Sequence, residues 1–417
     1  MMIKADIKKL FKTGFFHIFG GSVLNKIIVF LSSIVIVRIL SKTEYGIFTY
    51  AWNIYSFVIL VNGLGLANGA LQVGSEKWDE AECENIFFYA LYKGILFDCG
   101  IFIVMLLIAF FYPTAIEDAR ALLAAMCLLP LVQFLYELEM TYLRVKRMNQ
   151  KYAEINIIAT VLVFSFSIIG ALLFREMGLV IGRYVAWILV IFIGFKVINH
   201  RGRKITPVIG LEQKRSIMRI SIVSVANNGI SSLLYLLDVF VLGIVTTNGE
   251  ILASYKVATA IPTALLFIPS SIAIYVYPYF AVHYNDKKWC LRNYKKIFVA
   301  NIALNFLISI ILIVFAPLII YIVFGKQYMD AVPVFRILSL SYLISSCFRI
   351  ISSNLLVMMK KLKFNMIEAL LSGVINVFAD YYFIKAYGSI GAAIVTLIVV
   401  TFSGLMSTSY LLYTYKH

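Results

Sequence analysis

Charged residues are scarce in this sequence of 417 residues: they make up 14% of it, whereas hydrophobic residues make up 62%. Acidic residues are the rarer kind, at 21 against 37 lysines and arginines. This composition excludes an ordinary soluble domain. The apolar residues form runs of about 20 residues, the length of a helix that crosses a bilayer. The short alternating segments of a membrane barrel are lacking, so an all-α polytopic membrane protein is predicted.

Cysteine is also scarce, and the five cysteines lack the spacing of a metal site or of a disulfide framework. The sequence contains no P-loop, HExxH, GxSxG or CxxC pattern. No connecting loop is long enough to bind a nucleotide sugar, which disfavours the alternative of a membrane glycosyltransferase or polymerase. We therefore predict no enzyme activity, no cofactor and no metal.

Twelve membrane spans are predicted, and the distribution of basic residues orients them. The spans lie near residues 14–40, 45–66, 86–112, 121–143, 153–174, 177–198, 216–245, 251–280, 297–323, 331–358, 364–384 and 388–412. With the N-terminus inside, the cytoplasmic loops carry 24 basic residues and the outside loops carry 5. The positive-inside rule then places both termini in the cytoplasm. The same distribution accounts for the net charge of +16 without a nucleic-acid partner.

The second half of the sequence repeats features of the first half at a nearly constant offset. SVLNK at 22–26 corresponds to SVANN at 224–228, GIFTYA at 46–51 to ASYKVA at 253–258, and the basic loop at 144–156 to that at 359–368. The repeat predicts an N-terminal six-helix lobe at 1–198, a cytoplasmic linker at 199–215 and a C-terminal six-helix lobe at 216–417. Two parallel lobes around a cavity are the usual build of an alternating-access transporter.

Basic residues inside the spans are candidate functional residues, because a charge is costly to place in a bilayer. Lys26 in the first span and Lys256 in the eighth come from different lobes, and we expect both to face the space between the lobes. Arg349 lies deep in the tenth span and would extend the same basic pocket. Such a pocket suits a phosphate or pyrophosphate. The alternative is that Lys256 extends to the outer membrane interface.

The polar residues of the seventh span fall on one helical stripe, which includes Asn228, Tyr235 and Asp238. Such a stripe faces protein or water rather than lipid. Helix–helix packing is the plainer alternative for its small residues. Asp238 is the only acid on the stripe, and we expect it either to pair with a cavity lysine or to bind a coupling ion, H⁺ or Na⁺.

Four segments resemble those of bacterial polysaccharide flippases. They are RILSKTEYGIF at 38–48, DVFVLG with ASYKVATAI within 238–261, VFGKQYMDAVPVFRILS at 323–339 and YGSIGAAIVTLI at 387–398. Together they follow the first span and join spans seven to eight, nine to ten and eleven to twelve. The chain is thereby similar, over nearly its whole length, to the multidrug/oligosaccharidyl-lipid/polysaccharide superfamily of exporters.

The resemblance implies a two-lobed, MATE-like flippase of the bacterial cytoplasmic membrane. Its substrate would be an undecaprenyl-pyrophosphate-linked oligosaccharide, such as an O-antigen repeat unit, moved from the inner to the outer leaflet. The resemblance also implies basic cavity residues, here Lys26 and Lys256, and a polysaccharide polymerase and chain-length regulator as partners. Lys26 stands where some relatives have arginine, which weakens bidentate phosphate binding. A cation-coupled multidrug exporter of the same fold, with Asp98 and Asp238 as its carboxylates, is the alternative.

Overall fold

The computed structural model describes residues 15–76, 80–111, 114–198, 209–283, 286–359 and 361–416. Within these ranges every regular element is a helix and no strand occurs, as the sequence predicts. A helix suits a membrane span because it satisfies its own backbone amides and carbonyls where no water is available to bind them.

The chain divides into two compact units. Unit one contains Met1–Leu40 and Ile54–Gly229, and unit two contains Ser41–Asn53 and Ile230–His417. The division into two lobes joined by a linker at 199–215 stays a prediction, because most of that linker lies outside the described residues.

Among the described residues, unit one contains six whole helices and parts of two others. Its elements are α1 Phe15–Ile39, the end of α2 Lys42–Ile59, α3 Leu66–Ser75, α4 Glu80–Phe111, α5 Ala119–Met126, α6 Leu129–Val145, α7 Asn149–Ile198 and the start of α8 Leu211–Thr246. Helix α1 packs along α7, and α6 packs against both α4 and α7. Apolar side chains of α3, α4, α6 and the start of α8 form its core around Phe134.

Unit two holds the start of α2, the end of α8 and the remaining helices. These are α9 Gly249–Leu265, α10 Phe267–Val282, α11 Lys287–Val314, α12 Ala316–Val323, α13 Val332–Ile344, α14 Ile351–Met358, α15 Leu362–Tyr387 and α16 Ser389–Lys416. A π-helical turn, Ser345–Ile350, joins α13 to α14. Helix α16 packs against α11, α13, α14 and α15, so it forms the centre of this unit.

The described helices are consistent with twelve spans. Nine helical segments, some of which join two of the helices named above, are long and apolar enough to cross a membrane. One of the nine, α7, covers two predicted spans, because its helical geometry is interrupted at Phe174 and Arg175. The predicted first and seventh spans coincide with α1 and α8, which are helical but are not among the nine.

Each unit contains a tight helical hairpin of the same local geometry. In α7, a β-carbon on Gly170 would lie 2.0 Å from the carbonyl oxygen of Gly178, so the two halves of α7 touch through these glycines. Arg175, at this hairpin, has φ 54° and ψ −135°. Gly388, between α15 and α16, has φ 58° and ψ −134°. The matching angles recur near the offset of the sequence repeat and support two related halves.

The second predicted span is interrupted by a 3-10 turn, Asn62–Gly65, between α2 and α3. Three consecutive residues of this turn have positive φ angles of 53°, 50° and 66°. The buried ring of Phe134 fills the space beside it, where a β-carbon on Gly63 or Gly94 would lie 2.1 or 2.0 Å from a ring atom. Only glycine fits at these two positions, because any side chain would displace the ring.

Candidate functional site

A buried polar cluster surrounds Asp238 inside unit two. One carboxylate oxygen of Asp238 accepts a hydrogen bond from the Asn376 amide at 2.8 Å. The other accepts from the Thr396 hydroxyl at 2.7 Å and from the Tyr255 hydroxyl at 3.0 Å. These side chains come from α8, α9, α15 and α16, so four helices converge on one carboxylate.

Asp380 adds a second carboxyl group to this cluster. It is fully buried, four residues after Asn376 on α15, and its carboxyl lies against that of Asp238. Neither oxygen of Asp380 receives a hydrogen bond from a described residue, and the same holds for the side-chain oxygen of Asn376. We call these five residues, Asp238, Tyr255, Asn376, Asp380 and Thr396, the Asp238 cluster.

The Asp238 cluster has the chemistry of a site for a proton or a small monovalent cation. Two carboxylates in contact repel each other, so both ionise only if a positive charge lies between them. The unsatisfied buried oxygens would be costly unless they bind such a charge. Carboxylate, amide and hydroxyl oxygens are hard ligands that suit a hard cation. In the described ranges, no group of three or more His, Cys, Asp or Glu residues has the arrangement of a metal site.

The surroundings of Asp238 distinguish its two predicted roles, pairing with a lysine and binding a coupling ion. Every described partner of its carboxylate is a hydroxyl, an amide or the second carboxyl group. Within the described part of unit two, no lysine or arginine lies within ion-pair distance of Asp238. The cation-binding alternative therefore has geometric support in this unit, and the lysine-pairing alternative has none there.

The other predicted site residues lie apart from the Asp238 cluster or outside the described side chains. Lys256 is exposed on α9, although its neighbour Tyr255 is buried in the cluster. Lys26 is exposed on α1 of unit one, and Arg349 is half-buried in the π-helical turn. The side chains of Asn228 and Tyr235 are not among those described, although α8 runs through both positions. A basic pocket formed by Lys26, Lys256 and Arg349 stays a prediction.

The site residues predicted from the sequence include Asp238 but not the other four members of the cluster. Asn376 and Asp380 are spaced four residues apart and continue the spacing of Glu368 and Ser372, so the sequence contains a signal for a polar stripe on one face of this helix. Thr396 and Tyr255 carry no such signal, because single hydroxyl groups are common in membrane helices. Only the packing of α9 and α16 against α8 identifies them.

Asp98, the other carboxylate considered for an exporter, has a structural role in unit one. One of its oxygens accepts a hydrogen bond from the Gly63 backbone amide at 2.8 Å. The Asn62 side-chain amide lies 3.2 Å from the other oxygen in the orientation that satisfies its surroundings. Asp98 therefore satisfies amides that are freed where the second span is interrupted.

A family comparison agrees with this architecture. Residues 35–333 match the model of a family described as polysaccharide biosynthesis protein. The chain belongs to this family. The match covers most of both units, including Asp98 and Asp238, while Asn376, Asp380 and Thr396 lie beyond its end. No curated protein matches the chain.

Solved structures of this fold are membrane transporters. The chain is similar to an inward-closed structure of the lipid II flippase MurJ, with a TM-score of 0.74, 16% identity and coverage of 95% of this chain and 87% of that one. It is also similar to an inward-facing multidrug resistance MATE transporter of the MOP superfamily, with a TM-score of 0.72, 14% identity and coverage of 94% and 95%. A superfamily transporter from Pyrococcus furiosus gives a TM-score of 0.62, 12% identity and coverage of 96% and 95%. These likenesses establish the fold, and together with the apolar helices they support a multi-pass membrane protein.

Proposed function

We propose that the protein flips an undecaprenyl-pyrophosphate-linked oligosaccharide from the inner to the outer leaflet of the bacterial cytoplasmic membrane. The cargo is an O-antigen unit or another surface polysaccharide repeat, and a polymerase and chain-length regulator act on it after transport. Membership of the polysaccharide biosynthesis family carries the proposal. The fold shared with a structure named as a lipid II flippase supports it.

The proposed ligands of the pyrophosphate are Lys26 and Lys256. Each is an exposed lysine on a helix of a membrane transporter. Within its own unit, neither has a carboxylate partner among the described residues. An unpaired ammonium group in a membrane span favours an anionic ligand, and Arg349 is proposed to extend the same basic surface.

Replacing Lys256 tests this role. A charged hydrogen bond to phosphate contributes roughly 1.5–3 kcal/mol, so Lys256→Ala and Lys256→Gln should weaken substrate binding by roughly tenfold to a hundredfold. Lys256→Arg should keep much of the activity because the charge remains. The measurement is surface polysaccharide in a flippase-null strain at matched membrane abundance of each variant. Full surface polysaccharide from Lys256→Ala would reduce this lysine to an anchor at the outer interface.

We propose that the Asp238 cluster binds the ion that drives transport. The adjoining carboxyl groups of Asp238 and Asp380, with oxygens that lack donors, support this role. A bound cation or proton would offset one of the two negative charges, and its release would leave two repelling charges that favour a different packing of α8 against α15.

A multidrug exporter of the same fold is the second candidate, because MATE transporters share the architecture. The two functions differ in the charge of the cargo. A flippase should depend on Lys26 and Lys256, whereas an exporter of cationic drugs should tolerate their loss. Drug susceptibility of a strain that overproduces the protein, measured beside surface polysaccharide, distinguishes the two.

A further inference from the structure

A cleft of about 630 Å³ lies within unit one, between the interruption of the second span, α4 and the start of α8. Its lining is apolar except for one residue, Lys93. The apolar lining includes Leu64, Leu96, Phe97, Val104 and Met218. A cleft of this composition accepts a hydrocarbon chain, and its single amine adds a requirement for a negative charge.

The interruption of the second span shapes one wall of the cleft. Leu64 lines it and has a φ of 50°, a left-handed conformation that is costly for a residue with a β-carbon. The hydrogen bond from the Gly63 amide to Asp98 helps hold this turn in place. Strained backbone that its surroundings maintain is typical of ligand-binding positions.

Lys93 has no anionic partner among the residues that the structure describes. Its amine lies 5.9 Å from the centre of the Tyr92 ring. Within the described ranges no carboxylate oxygen comes within ion-pair distance of it. An exposed amine beside an apolar cleft can bind an anionic group that a hydrophobic chain brings with it.

The cleft has the depth of one membrane leaflet. Residues 94–111, which follow Lys93 on α4, contain Asp98 as their only charged residue. Residues 86–92, which precede Lys93 in the predicted span, are also apolar, so the amine reaches toward the level of the lipid phosphates by extending its flexible side chain along the helix. From Lys93 to Val104 the helix rises about 16 Å, which is about half of a ~30 Å hydrocarbon core.

We propose that this cleft binds the polyprenyl chain of the lipid-linked substrate, with the phosphate group against Lys93. The inference rests on the proposed function. A polyprenyl phosphate brings one chain and one anionic group, which match one cleft and one amine, whereas a phospholipid brings two chains. The predicted orientation puts the start of α4 on the cytoplasmic side, so the cleft is a loading site in the inner leaflet.

Gly100 allows the cleft to be filled without disturbing the core. It lines the cleft, and a β-carbon built on it meets no atom within 4 Å. Gly100→Trp should therefore occupy the space of the chain, and Lys93→Gln should remove the phosphate contact. The matched controls are Ala300→Trp and Lys295→Gln, because both residues are exposed on α11 of unit two.

Photo-crosslinking measures the occupancy of the cleft. The full chain, with benzoylphenylalanine at Leu96, is placed in lipid vesicles that contain radiolabelled undecaprenyl phosphate. We expect a labelled adduct that falls roughly tenfold with Lys93→Gln, the loss of one charged hydrogen bond. Gly100→Trp should abolish the adduct, and the two control substitutions should leave it unchanged.

Three outcomes would overturn the proposal. The first is an adduct that survives both Lys93→Gln and Gly100→Trp. The second is the absence of any adduct. The third is equal competition by unlabelled phosphatidylglycerol, which would indicate an ordinary lipid contact. If Gly100→Trp does not fold, as judged by size-exclusion chromatography, the adduct yield of Lys93→Gln alone tests the proposal. Flipping of a pyrophosphate-linked lipid by the wild type is measured separately. Flipping without cleft labelling would refute the loading site alone, and labelling without flipping would refute the proposed function alone.

Discussion

The carboxyl groups of Asp380 and Asp238 lie against each other, and both residues are buried. Such a pair gains a cation more readily than a single carboxylate does, because the first charge is neutralised and the repulsion between the two is relieved. The hydroxyl groups of Thr396 and Tyr255 fix the orientation of Asp238. The cluster is therefore preorganised for a charge that comes and goes with the transport cycle.

Removing one of these carboxyl groups should uncouple the ion from the protein. A ligand that binds only the folded state stabilises it by about 2.7 kcal/mol at 100 times its Kd. We expect sodium chloride, compared with choline chloride, or else a lower pH, to raise the Tm of the wild type. Asp380→Asn should abolish that rise, because the negative charge is lost and an amide group replaces one ligand oxygen. Thermal unfolding of the purified protein measures both.

Glu368→Gln is the matched control for this substitution. Glu368 is a buried acid on the same helix, and it accepts a hydrogen bond from Ser372 at 3.2 Å, outside the Asp238 cluster. It should keep the ion-dependent rise in Tm. If Asp380→Asn responds to sodium and to pH as the wild type does, the coupling role of the cluster is wrong.

At the residue scale, the sequence identifies the charged residue Asp238 but not the residues that bind its carboxylate. Asp238 is recognisable in the sequence because a lone acid on a polar stripe is conspicuous in an apolar span. Its three hydrogen-bond donors come from residues 17, 138 and 158 positions away. Contacts over such distances depend on how α9, α15 and α16 pack, and a single sequence carries no measure of that packing.

At the scale of elements, the hairpins of the two halves offer a test of backbone strain. Arg175 and Gly388 have nearly the same φ and ψ, but only glycine adopts these angles without strain. Arg175→Gly should be more stable than Arg175→Ala by about 1–2 kcal/mol and should therefore unfold at a higher temperature. Both variants lose the functional group of arginine, so the difference reports the backbone strain. Gly388→Ala should destabilise by a similar amount. Equal Tm values for the two Arg175 variants would contradict this.

The helices were predictable as spans, and the interruptions inside a single span were not. A run of about 20 apolar residues has few alternatives to a helix in a membrane. The turn at Asn62–Gly65 depends instead on Phe134 and Asp98, which lie on other helices. The π-helical turn at Ser345–Ile350 likewise has no local sequence signal, because its residues would fit an α-helix equally well.

At the scale of the whole molecule, the excess of basic residues in alternate loops predicts that both termini are cytoplasmic. A reporter that is active only in the periplasm should be silent when fused after His417. The same reporter inserted after Lys326, in a loop predicted to be outside, should be active. Activity at His417 would reverse the orientation and move the proposed loading site to the outer leaflet.

The segment Ser41–Asn53 belongs to unit two, although the chain on both sides of it belongs to unit one. Helix α8 likewise belongs to unit one up to Gly229 and to unit two from Ile230 onward. The chain therefore passes between the units at three points along its length. A gene divided within 199–215 would encode two pieces that each lack part of their own unit. Such pieces would depend on each other to fold, and neither would be an independently folding domain.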